Sequence, residues 1–133
     1  MGKKSLKKGF TLIELLVSIT ILAILSVLAL SSFTAVQKKG RDSRRRADLK
    51  AIQNSFEQYY AASNTYHSNC SSMAGYLQGG LITTGPKGDT YSTACATAGY
   101  CVCASLEAGG GNSSNASCNF GSTGNYFCVT NLQ

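Results

Sequence analysis

The sequence predicts an α+β fold: a long N-terminal α-helix, half membrane-type and half amphipathic, packed on a small antiparallel β-sheet head carrying disulfides. Three observations predict it. Between Phe10 and Val36 the only charge is Glu14, so the run is long enough for the ~20-residue helix that spans a bilayer. Beyond it Leu49, Ile52, Phe56 and Tyr59 recur at spacings of three and four, one apolar face of a helix. All six cysteines then fall in a Gly-, Ser- and Asn-rich C-terminal segment.

Residues 1–9 form a basic leader carrying Lys3, Lys4, Lys7 and Lys8. Residues 10–36 make the transmembrane helix, in which the run from Leu15 to Leu30 is apolar apart from Ser18, Thr20 and Ser26. Residues 37–62 continue the helix as an amphipathic segment, with Gly40 as a soft point. In "RDSRRRAD", Asp42 with Arg46 and Arg45 with Asp48 have the spacing of helical ion pairs. The basic cluster from Lys38 to Lys50 is expected on a solvated or headgroup-facing side.

Residues 63–133 form the head. "GPKGD" (85–89), with the only proline, reads as a turn. Strands are expected from about Tyr100 to Leu106 and from Tyr126 to Thr130. "GGGNSSNAS" between them reads as a flexible loop. Tyr66, Tyr76, Tyr91, Tyr100, Tyr126 and Phe127 are candidates for the core or for contacts between subunits. A hydrophobic core alone is marginal at this size.

Cysteines supply the missing constraint. Cys70, Cys95, Cys101, Cys103, Cys118 and Cys128 are even in number and confined to one small segment, which reads as a disulfide framework in an oxidising compartment. Zinc would need paired ligands such as CxxC, whereas the closest pair is "CVC" and the only histidine is His67. Cys101 and Cys103, two apart on a strand, share a face and should not bond each other. Cys118 with Cys128, enclosing "NFGSTGNYF", is the first candidate pair. Disulfides place the head outside the cytoplasm. The positive-inside count points the other way, because seven bases between Lys38 and Lys50 follow the span.

The formal net charge of +6 is carried by the leader and by residues 38–50; without residues 1–9 eight bases face six acids, a net of +2. Beyond residue 61 only Lys87, Asp89 and Glu107 are charged. A charge-driven partner of the head is weakly supported. Catalysis needs a convergent set of reactive groups, and one histidine, oxidised cysteines and two separated acids do not supply it. No enzyme activity, cofactor or metal is expected. Asp89 and Glu107 in particular lack the spacing of a calcium loop.

The basic leader followed by "GFTLIELL" resembles the start of type IV pilins and of type II secretion pseudopilins. The resemblance covers residues 3 to about 36. It implies cleavage by a prepilin peptidase between Gly9 and Phe10, N-methylation of Phe10 by the same enzyme, and a role for Glu14 in filament assembly. "RDSRRRADLKAIQNSFEQYYAASNTY" resembles the helix that follows the membrane segment in bacterial pseudopilin-like pilins, ahead of a loop and a small sheet. The implied partners are identical or related pilin subunits, the peptidase, the inner-membrane assembly machinery, and membrane lipid before assembly. The implied location is a single pass of the cytoplasmic membrane and then an extracellular or periplasmic filament. The chain departs from the pattern at Ser31, where such pilins often carry proline, and at Ala23, where they often carry glycine. A DNA-binding competence pilin, or a membrane-tethered binding protein, is the alternative, with residues 38–50 as the contact.

Overall fold

The computed structural model describes residues 9–121 and 123–133, apart from the side chain of Ser31. The leader lysines Lys3, Lys4, Lys7 and Lys8 therefore lie outside the described residues. The chain divides into two compact units between Val36 and Gln37.

Helix α1 runs from Leu12 to Ser63 and belongs in part to each unit. Its N-terminal stretch is apolar on every side, with a mean hydropathy of 2.6 over 18 residues, and is long enough to cross a membrane. Among its large apolar side chains exposure ranges from 47% at Val17 to 83% at Leu12. Three of the hydroxyls there are satisfied locally: Ser18, Thr20 and Ser26 donate to the carbonyls of Glu14, Val17 and Leu22. A hydroxyl bonded back to its own helix leaves no polar group to be solvated, so these residues do not interrupt an apolar run.

In the second unit α1 changes character. Leu49, Ile52 and Phe56 are fully buried, and Tyr59 packs against the same cluster. Gly40 does not interrupt the helix. The helix ends where Asn64 takes a positive φ of 55° and its N–H donates to the Tyr60 carbonyl at 2.7 Å. Asn is one of the few residues with side chains that tolerate this left-handed stop.

A short helix α2 (Cys70–Met73) and a 3-10 turn (Ala74–Tyr76) follow. Three strands, β1 (Ser92–Ala96), β2 (Gly99–Ser105) and β3 (Tyr126–Thr130), then form an antiparallel sheet in that order. Tyr100, Val102, Ala104 and Val129 join Leu49, Ile52 and Phe56 in one core. Phe56 meets Tyr100 edge to face, with ring centroids 4.9 Å apart. The register sets Val102 opposite Val129 and Cys103 opposite Cys128, so the cysteines belong to the other side of the sheet.

Two expectations are corrected here. Residues 109–117 are not a free loop. Asn112 lies along the outer edge of β3, its side chain accepting from the Cys128 N–H at 2.7 Å and donating to the Cys128 carbonyl at 2.9 Å. Ser113 bridges to Tyr126 and is fully buried. Gly111 and Gly124 allow this approach, since a Cβ at either would collide with backbone. The disulfide Cys118–Cys128 is also absent. The bonds are Cys70–Cys95, Cys101–Cys118 and Cys103–Cys128. Cys128 lies opposite Cys103 in the ladder and is taken by it, which leaves Cys118 for Cys101. Cys101 and Cys103 lie side by side with sulfurs 3.7 Å apart and do not bond each other.

Candidate assembly site

The apolar helix begins at a reciprocal pair. The Thr11 hydroxyl accepts from the Glu14 N–H at 3.3 Å, while Glu14 Oε2 accepts from the Thr11 N–H at 3.0 Å and from the Thr11 hydroxyl at 2.8 Å. This capping box satisfies first-turn donors that an apolar surrounding could not satisfy. The T-x-x-E spacing of "TLIE" announces it in the sequence, overlapping the motif that points to cleavage and assembly. Glu14 thus already has two donors within its own chain, and it stays exposed at the helix start beside Phe10.

The head is organised around Arg45, whose side chain is 3% exposed. Its guanidinium holds both oxygens of Asp89, each at 2.9 Å, and reaches Asp42 at 2.7 Å and Glu107 at 3.0 Å. Glu107 is also gripped by Arg41 through two bonds of 2.8 and 2.6 Å. Asp42 accepts the backbone N–H groups of Glu107 and Ala108 at 2.9 and 2.8 Å. The Arg41 hydrogen bonds, with help from Arg45, hold the Glu107 carboxyl down at about 2. Arg45 likewise lowers Asp89, and bonding to these acids raises both arginines. Two loops distant in sequence are thereby fastened to one turn of α1.

The expected pairs Asp42–Arg46 and Arg45–Asp48 do not form. Asp42, Arg45 and Leu49 share the inward face, so Arg45 pairs with Asp42 instead. Arg46 donates to the Gly110 carbonyl and lies over the Phe127 ring, while Asp48 accepts the Tyr91 hydroxyl at 2.8 Å. The bases of residues 38–50 are thus not one solvated face: Arg41 and Arg45 turn inward. Asp89 and Glu107, separated in sequence, meet on Arg45 and are occupied by arginine.

A second, half-buried acid ties the far end of α1 to the sheet. Glu57 accepts the Tyr100 hydroxyl at 2.7 Å, the Tyr66 hydroxyl at 3.1 Å and the Leu132 N–H at 3.1 Å. Burial, reinforced by Glu57, pushes Tyr66 up to about 12 and raises Tyr100 as well. Of the other aromatic candidates Tyr91 is buried, Tyr126 and Phe127 are half-buried, and Tyr76 is exposed.

A bare apolar helix opening on a capped glutamate, joined to a disulfide-bonded head, defines a class: subunits that hold themselves by one helix and present a small folded unit. Similarity narrows the class. A family model described as the prokaryotic N-terminal methylation motif matches residues 4–30. The chain is 37% identical over 103 residues to the type IV wide pilus major component PilA4 of Thermus thermophilus, covering 77% of this chain and 76% of that protein. It is 30% identical over 59 residues to the type IV major pilin protein PilA of Myxococcus xanthus, covering 44% of this chain and 27% of that one. No solved structure matches the chain. The chain belongs to the type IV pilin family. It is a pilus subunit, structural and not enzymatic.

Proposed function

We propose that the chain is made as a precursor, cut between Gly9 and Phe10 by a prepilin peptidase, methylated on Phe10, and polymerised through residues 10–36 into a type IV pilus. The observation that carries this reading is an apolar helix stretch whose large side chains are all about half exposed or more, opening on Glu14. Such a surface is stable only in lipid or against like surfaces. In this reading residues 1–9 are removed, 10–36 form the membrane and then the filament segment, 37–62 continue the helix, and 63–133 form the presented head. Three disulfides support a head outside the cytoplasm. Ion pairing of Arg41 and Arg45 lessens the opposing weight of the bases after the span. Both relatives are named as major pilins of type IV pili, which favours a long surface pilus over a short secretion pseudopilus.

Glu14 completes the account. Cleavage frees a cationic amine on Phe10 that stays basic after methylation. The carboxylate of one subunit pairs with the amine of its neighbour, so that correct axial register is rewarded by a charge contact. Glu14→Leu is therefore expected to insert and be cleaved yet stay out of filaments, measured by immunoblotting sheared and membrane fractions. Normal amounts of the variant in filaments would overturn the role given to Glu14.

A further inference from the structure

We propose that Lys38, Lys39 and Arg44 form a basic collar that selects anionic phospholipid headgroups around the inserted subunit. This rests on the reading that residues 10–36 span the bilayer. The observation behind it is a segregation of charge. All five acids after Val36 are buried or half-buried, and each is hydrogen-bonded inside the head: Asp42, Asp89 and Glu107 with Arg41 and Arg45, Asp48 with Tyr91, Glu57 with Tyr66 and Tyr100. Every exposed charged side chain after Val36 is a base: Lys38, Lys39, Arg44, Lys50 and Lys87. Lys87 faces Glu107 at 3.7 Å and Lys50 donates to Gln53. Lys38, Lys39 and Arg44 make no ion pair among the described residues. A second head offers them no exposed carboxylate side chain, which points to an anion outside the heads as their partner.

Position along the chain selects lipid. Lys38, Lys39 and Arg44 follow Val36 by two, three and eight residues, or about 3, 4.5 and 12 Å of helix. The headgroup layer is about 5 to 8 Å deep on each side of the hydrocarbon. Helical side chains lean toward the N-terminus, here toward the span, which brings the long Arg44 stem back to that layer. Arg46 and Lys50 start about 15 and 21 Å beyond Val36 and have partners in the head. At about 100° per residue, Lys39 is turned about 100° and Arg44 about 240° from Lys38. Bases on three sides of a helix suit lipids arranged around it, whereas a duplex would need them on one face.

The test reconstitutes the full chain into phosphatidylcholine vesicles containing about a quarter phosphatidylglycerol and measures relative association of spin-labelled forms of the two lipids. One base near an anionic surface favours association by about fivefold, so the wild type is expected to prefer phosphatidylglycerol by at least that factor. The triple variant Lys38→Gln, Lys39→Gln, Arg44→Gln should fall to parity, while Arg46→Gln with Lys50→Gln should keep the preference. Parity in the wild type, or an undiminished preference in the triple variant, overturns the collar. So does retention of duplex DNA at physiological salt, lost in the triple variant, with no lipid preference, which would assign the bases to nucleic acid. Flotation with the vesicles reads the span separately, so failure of the membrane reading is distinguishable from failure of the collar.

Discussion

The two units solve opposite problems. Residues 37–133 bury an apolar cluster and pair every acid internally, so their order is written in contacts the chain makes with itself. Among the described residues, the apolar stretch up to Val36 makes local hydrogen bonds such as those of Thr11 with Glu14 and of Ser18 with Glu14, and leaves its large side chains uncovered. The head is thus held from within, and the apolar stretch depends on what surrounds it. Perturbations should divide cleanly between the two.

The largest effect is expected at Arg45. Arg45→Ala leaves Asp89, Asp42 and Glu107 without their shared cation, and breaking a buried ion group costs about 3 to 5 kcal/mol. Denaturant unfolding of the full chain in micelles, followed by tyrosine circular dichroism, should show this loss. Peptide helicity of residues 12–36 should persist. Arg45→Met, which keeps the packing stem, should cost nearly as much if charge is the cause and far less if bulk is.

Next come the staples. Replacing Cys103 and Cys128 by serine removes the bond between β2 and β3 and should cost about 2 to 4 kcal/mol, read from the same unfolding curve. Trypsin should then cleave the head faster, while insertion in vesicles stays unchanged.

Acid is a gentler probe. Asp89 and Glu107 are both depressed in the folded head, so their contribution to stability is lost in acid; that of Glu107 is complete above about 4.5 and is lost as pH falls toward about 2. Unfolding midpoints measured across that window should fall with pH in the wild type. In Arg45→Ala the slope should flatten.

The smallest effect belongs to the other unit. Thr11→Ala removes one side of the capping box and should cost about 1 kcal/mol of helix, seen as faster amide exchange over the first turn in micelles. Head stability should not change.

Much of this contrast is legible in the sequence because it follows local periods. The spacing of Leu49, Ile52 and Phe56 marks the buried helix face, and "TLIE" marks the helix start. Alternation in "YCVCAS" marks β2. What local pattern does not carry is pairing across the chain. Arg45 meets acids 44 and 62 positions away, and no feature near either acid announces it. Strand β1, "STACA", lacks the branched and aromatic run that signals a strand and is defined by its ladder with β2. The Cys103–Cys128 bond likewise follows from the register of β2 on β3, which nothing local to either cysteine carries. The role proposed for Glu14 needs an assembled neighbour, which a single chain does not contain.

The central claim is that the uncovered helix enters filaments as a processed N-terminus. Filaments sheared from cells expressing this chain, dissolved and measured by intact mass spectrometry, test it most directly. The account predicts a subunit that begins at methylated Phe10 and carries three intact disulfides. A filament subunit that retains Gly9 and the residues before it, or filaments that lack this chain while it accumulates fully processed in the membrane, would contradict it.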